Sequence, residues 1–183
     1  MMTPRISSWL LGLCLATSSM GISEEEAAKK AEAPSFRGEI LGMKLTSGPL
    51  GIVLDVSESM NRSMPWIQQT LREKTPRNPV LHVDGCGIER PDPRPRIING
   101  VAPETITAIR MLAEHSTANS ILWITDMGDP PNRDGIESLR KVLAEHELQL
   151  FLISLKNKPS PSIRKAIEET EGYWELIDPK AQK

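Results

Sequence analysis

Cysteine is scarce in this 183-residue chain, with Cys14 and Cys86 the two examples. Cys14 lies in an amino-terminal apolar run that has the order of a removable signal. The mature chain would then form no internal disulfide, and Cys86 reads as a packed thiol or one open to a partner. Aromatic residues make up only 4% of the chain, and no stacking platform for bases emerges. An excess of positive charge is missing too: the formal net charge is −2, which offers nothing to attract a phosphate backbone. Nucleic acid is set aside as a partner on these grounds. Also absent are a P-loop lysine, a dinucleotide Gly-x-Gly-x-x-Gly and a Gly-x-Ser-x-Gly elbow, so the common nucleotide and acyl-transfer enzymes find no support.

What remains is an ordinary globular composition, 39% hydrophobic and 25% charged, in a chain long enough for one domain with its own core. Arg5, the apolar stretch Trp9 to Ala16 and the small residues Thr17 to Gly21 have the order of a secretory signal over residues 1–21. The apolar stretch is too short to span a bilayer. Leu13 before Cys14 argues against a lipoprotein site. The expected product is exported, periplasmic or secreted, with no membrane span in the mature chain; an uncleaved anchor is the alternative. Residues 22–35 form a charged, alanine-rich spacer with Glu25–Lys29 and Glu26–Lys30 pairs and no expected packed role. The globular domain is expected over 36–179, followed by a short tail at 180–183.

Within the domain, strand and helix patterns alternate. Met43 to Thr46 reads as a short edge strand, ended by Ser47-Gly48-Pro49. Leu50 to Leu54, Pro79 to Val83, Ile121 to Ile124 and Leu148 to Leu155 read as strands, and Tyr173 to Ile177 as a last one. Helices are expected over Pro65–Arg72 with Asn61 or Ser63 as cap, Pro103–His115, Asp134–Glu147 and Ser162–Thr170, with Gly172 as a stop. Cys86 to Gly100, with Pro91, Pro93 and Pro95, can form neither a helix interior nor a central strand. This alternation predicts an α/β fold, a mostly parallel sheet with helices on both faces.

The chemistry concentrates at Asp55-Val56-Ser57-Glu58-Ser59, where the apolar run ends in one acid and two alternate hydroxyls. Ligands of parallel sheets gather at the carboxyl ends of strands. A carboxylate with two hydroxyls is a hard oxygen set suited to Mg²⁺. The competing explanation is that these residues cap the next helix. Asp126 ends another apolar strand in the same way, so neighbouring strands would bring the two acids into one crevice.

The Asp55 stretch resembles the Asp-x-Ser-x-Ser motif of von Willebrand factor type A domains. Ile124-Thr125-Asp126 is similar to the second acidic loop of that family, and Ile163 to Leu176 to its closing helix and strand. The resemblance covers about residues 36 to 178. It implies a three-layer, Rossmann-like fold and a metal-ion-dependent adhesion site. Asp55, Ser57, Ser59 and Asp126 would hold Mg²⁺, or Mn²⁺ or Ca²⁺, and a protein or peptide partner would supply a carboxylate to complete the shell. No catalysis is implied.

Three departures from the family pattern stand out. Glu58 occupies a position where many bacterial members carry Gly. In the third loop, Gly100-Val101-Ala102-Pro103-Glu104-Thr105, Pro103 or Glu104 falls where a threonine ligand belongs, with Thr105 a little late. The segment between the second strand and that helix is shortened, as if an edge strand were missing. Glu58, Glu104, Thr105 and Asp129 are therefore rim or additional-ligand candidates, and Asp129 and Asp134 also read as a turn residue and a helix cap. His82, Asp84 and Cys86 share one face of an extended segment, too few for a zinc set. Two alternatives stay open beside the cation-dependent binding module: a metal-free scaffold binding by shape, and a metal-dependent hydrolase using the Asp55–Asp126 crevice.

Overall fold

The computed structural model describes residues 30–83, 100–102 and 104–179. The expected signal, most of the charged spacer, Asp84, Cys86, the proline-rich segment, Pro103 and the tail lie outside the described residues. The described chain is α/β with a mixed sheet. Its strands are β1 (Ser35–Ile40), β2 (Met43–Asp55), β3 (Val80–Val83), β4 (Gly100–Ala102), β5 (Ser120–Thr125), β6 (Gln149–Ser154) and β7 (Trp174–Leu176). The helices are α1 (Met64–Lys74), α2 (Thr105–His115), α3 (Arg133–Glu145) and α4 (Pro161–Glu168), with a 3-10 turn at Glu58–Met60. No helix among the described residues is long and apolar enough to cross a membrane.

The sheet order is β4-β3-β2-β5-β6-β7, all in parallel pairs, and β1 adds to β2 antiparallel. Side chains alternate between the two faces of a strand, and both faces here are apolar. Val53, Trp123 and Leu152 pack with Leu112 of α2, Leu139 of α3 and Ile163 of α4. Their strand neighbours Leu54, Ile124 and Ile153 pack with Ile67 of α1 and with Met43 of the hairpin. Each such side chain contributes on the order of 1.5–3 kcal/mol on burial, which is why the continuous apolar runs form central strands.

Three local expectations needed correction. The edge strand at Met43 and the central strand at Leu50 are one 13-residue strand, β2, running through Ser47-Gly48-Pro49. Pro49 falls where pairing passes from β1 to β5, and the β1 register shifts there between Ser35 and Phe36. Irregular positions of this kind tolerate a residue without an N–H. The end of the supposed spacer is packed: Ala33 is buried, its N–H donates to Thr117 Oγ1 at 2.9 Å, and Pro34 O accepts from Leu50 N and Asn78 Nδ2. An edge strand is present as well, since β4 pairs with β3 through Leu81–Gly100 to Val83–Ala102. Its three residues, flanked by proline-bearing sequence, carry too little periodicity to be read as a strand.

Helix ends also differ from expectation. Asn132, not Asp134, caps α3, accepting from Gly135 N at 2.8 Å. Ser63 precedes α1 without a side-chain cap bond. Beyond α3 and α4 the left-handed positions fall to Glu147 (φ 50°) and Glu171 (φ 58°) rather than to glycine. Leu148 N then bonds Leu143 O and Gly172 N bonds Ile167 O, the six-to-one closure of helix carboxyl ends. Gly172 is needed for a different reason: a Cβ there would lie 1.8 Å from the Leu150 carbonyl oxygen.

Glu147→Gly and Glu171→Gly should each raise stability by about 0.5–1 kcal/mol in urea unfolding, because glycine accepts the left-handed conformation without the Cβ penalty. Gly172→Ala should lower it by about 2–3 kcal/mol, since the backbone of β6 cannot yield cheaply.

Candidate functional site

Parallel pairing aligns Leu54 of β2 with Ile124 of β5, so both strands end side by side and Asp55 faces the Thr125 level. The Thr125 hydroxyl donates to Asp55 Oδ2 at 2.8 Å. The other Asp55 oxygen, Oδ1, accepts from Ser57 N–H at 2.9 Å. Ser57 Oγ and Ser59 Oγ lie 3.1 Å apart, within hydrogen-bond distance. Ser57 precedes the 3-10 turn but makes no side-chain cap bond, so helix capping does not account for these serine hydroxyls. Asp55 itself does shape the local turn.

Asp126 follows on β5 and is only 3% exposed. Its Oδ1 accepts from Gly128 N–H at 2.7 Å, whereas Oδ2 is buried with no hydrogen-bond partner. A buried carboxylate oxygen left unpaired is costly, by about 1–3 kcal/mol or more for a charged group. This is the least satisfied polar atom at the strand ends. The turn that carries it is held from the next strand: Asn157, just past β6, donates from its backbone to Asp126 O at 3.1 Å. Its side-chain amide donates to Asp126 O and to Met127 O, both at 3.2 Å.

Of the residues expected at the site, Asp55, Ser57, Ser59 and Asp126 share the carboxyl ends of β2 and β5. Glu58 is exposed on the 3-10 turn between the two serines. Glu104 precedes α2 and is exposed, and Thr105 is the first residue of that helix. Asp129 is exposed in the loop before α3. Among the described residues no hydrogen bond joins Glu104, Thr105 or Asp129 to the Asp55 cluster. No three His, Cys, Asp or Glu side chains converge there or elsewhere among the described residues, so ion binding at this crevice would depend on hydroxyls. His82 sits in β3, opposite Leu54 and Val101, with Asp84 and Cys86 outside the described residues.

Two contributors escaped the sequence reading. In the sequence Thr125 reads only as a member of the Ile124-Thr125-Asp126 loop with no role of its own, although a hydroxyl directly before a strand-end acid is a readable signal. Asn157 follows Lys156 in a polar loop and carries no motif. A cavity of about 520 Å³ lies elsewhere, at the amino edge of the sheet between the ends of α3 and α4. Among its polar groups Gln149 Nε2 donates to Glu171 O at 2.9 Å, and Arg140 Nε lies 3.2 Å from Glu169 Oε2 as an ion pair without hydrogen-bond geometry. It is separate from the acid–hydroxyl chemistry. No protein-family model matches the chain, and no curated protein matches it.

Thr125→Val keeps the shape of a buried residue but removes the donor to Asp55 and the acceptor for Met127 N–H at 3.1 Å. A loss of about 1–3 kcal/mol in urea unfolding is expected. Partial burial holds the His82 imidazole below its ordinary pKa of 6.5. The unfolded chain therefore takes up protons first, so this contribution to stability is full above that value and is lost as the pH falls toward the folded pKa. The denaturant midpoint should drop between pH about 7.5 and about 5.5, and His82→Gln should remove part of that drop.

Proposed function

We propose that this chain is a type A-like binding module that holds a divalent cation at the ends of β2 and β5 and captures a carboxylate of a protein or peptide partner. The observation that carries the reading is Asp126 Oδ2, a buried oxygen without a hydrogen-bond partner just past the end of β5, the strand paired with the one that ends in Asp55. A cation of the Mg²⁺ class would compensate an acidic oxygen of this kind, and hydroxyls with carboxylates are the donors such ions accept. In this reading Asp55, Ser57, Ser59 and Asp126 are the ligands, and Mn²⁺ or Ca²⁺ could substitute for Mg²⁺. When bound, the ion supplies an electrophilic contact for the partner's carboxylate.

The chain's own residues have separable parts in this scheme. Thr125 fixes the Asp55 carboxylate by one oxygen while Ser57 N–H fixes it by the other. The two serine hydroxyls meet each other at 3.1 Å, a contact that an ion between them would replace. Glu58, exposed between the two serines, would favour cation capture and disfavour an anionic partner with no ion present, and Glu104 and Asp129, also exposed, would add to this as rim residues. We read the sheet with helices against both faces as the three-layer type A architecture, and the amino-terminal apolar run as an export signal.

A second reading has its own support. The Asp55–Thr125 and Ser57–Ser59 contacts satisfy those groups among themselves, which a metal-free scaffold binding by surface shape would also display.

Calorimetric titration of Mg²⁺ and Mn²⁺ into the chain and into Asp55→Ala separates the two. Saturable binding, weakened at least about tenfold in the variant, is expected from the ion reading. Heats that are absent from both proteins would leave the metal-free scaffold. Partner capture that survives a chelator would overturn the carboxylate–cation contact.

A further inference from the structure

The turn Asp126–Met127–Gly128 has an unfavourable conformation and is hydrogen-bonded by a residue from the loop after β6. Met127 has φ 55°, a left-handed conformation that costs a non-glycine residue about 1–2 kcal/mol. Its side chain is also buried in the core beneath α2 and α3, so the residue cannot relax by turning outward. Within the turn, Thr125 Oγ1 and Asp126 Oδ1 accept the Met127 and Gly128 N–H groups. The two carbonyls left over, those of Asp126 and Met127, are both taken by Asn157. A primary amide has two N–H donors, and here one amide meets two successive carbonyls. Asn157 is itself anchored, since its carbonyl accepts the hydroxyl of Ser154, which is fully buried at the end of β6.

We propose that Asn157 is the positioning residue of the strand-end site: by clasping the Asp126 and Met127 carbonyls it holds the Asp126 carboxylate, and its unpaired Oδ2, in register with Asp55. The proposal rests on the reading of the crevice as a cation site, although its structural half can be tested without an ion. No other side chain supplies a donor to these two carbonyls among the described hydrogen bonds. Gly128 adds to the constraint, because a Cβ there would come within 2.9 Å of Asp126 Oδ1. The turn is thus shaped from both sides for one orientation of the carboxylate.

The test uses the full chain with Asn157→Ala, Asn157→Ala/Met127→Gly and Asp55→Ala, measuring Mn²⁺ affinity, global unfolding and amide hydrogen exchange. Asn157→Ala should speed exchange at Met127 and Gly128 by about tenfold or more while amides in β6 keep their protection. It should also weaken Mn²⁺ binding by about 10–100-fold, the usual scale for a residue that orients a ligand. Glycine at 127 accepts the left-handed turn unaided, so the double variant should recover much of the affinity. A merely structural role would lower global stability without this local signature and without rescue. Unchanged exchange at both amides in a folded Asn157→Ala protein overturns the proposal, as does unchanged Mn²⁺ affinity where the wild-type chain binds the ion. If the wild-type chain takes up no Mn²⁺, the ion reading fails by itself. The exchange comparison then decides whether Asn157 positions the turn: local acceleration supports it, and a uniform change overturns it.

Discussion

Leu50 pairs with Ser120 and Leu54 with Ile124, so the two central strands run in step and end together. A slip of one residue in a strand exchanges its two faces. Here it would send Val53 into the core of α1 and Leu54 into that of α2, and would part Asp55 from Thr125. The same alternation that packs both faces of the sheet therefore sets the acid of one strand against the hydroxyl of the next. Core and crevice share one constraint, and neither can be shifted without the other.

The strand-end acids were legible because continuous apolar runs stop abruptly at them, and parallel sheets collect polar groups at that edge. The four α-helices among the described residues were legible within a few residues at their ends, α2 and α3 from their apolar period and α1 and α4 with the help of caps and stops. The hairpin was not legible. Its strands alternate, but Ser47-Gly48-Pro49 carries strong turn chemistry, and only the tertiary pairing of Ser35 with Pro49 shows how β2 continues through it. β4 was missed for a related reason, since three residues beside a proline-rich stretch hold too few side chains to define a period. Asn157 could not have been found from sequence, because its partners are backbone carbonyls contributed by a loop some thirty positions earlier in the chain.

Local rules are broken most visibly at the two edges of the sheet. At the carboxyl edge Met127 takes a left-handed conformation and Asp126 keeps a buried oxygen unpaired. At the amino edge Glu147 and Glu171 stand where glycine is favoured, each placing an acid beside the negative end of a helix. Within the sheet itself the comparable conflict is Trp123 Nε1 of β5, buried without a hydrogen-bond partner. Departures from local preference in a sequence that otherwise agrees with its fold are the positions where selection for something other than stability is most readily suspected. The carboxyl edge combines such departures with chemistry able to use them.

One consequence of the packed Ala31–Pro34 segment is mechanical. That segment crosses the amino edge of the parallel strands, bonded to His115, Thr117 and Leu50, while the acid–hydroxyl cluster lies at the opposite edge. A load applied at the cluster and resisted at Ala31 would run lengthwise along β2 and β5. Their hydrogen bonds would then be strained together in shear, instead of opening one after another like a zip. A pull along that line would meet the whole ladder between β2 and β5 at once.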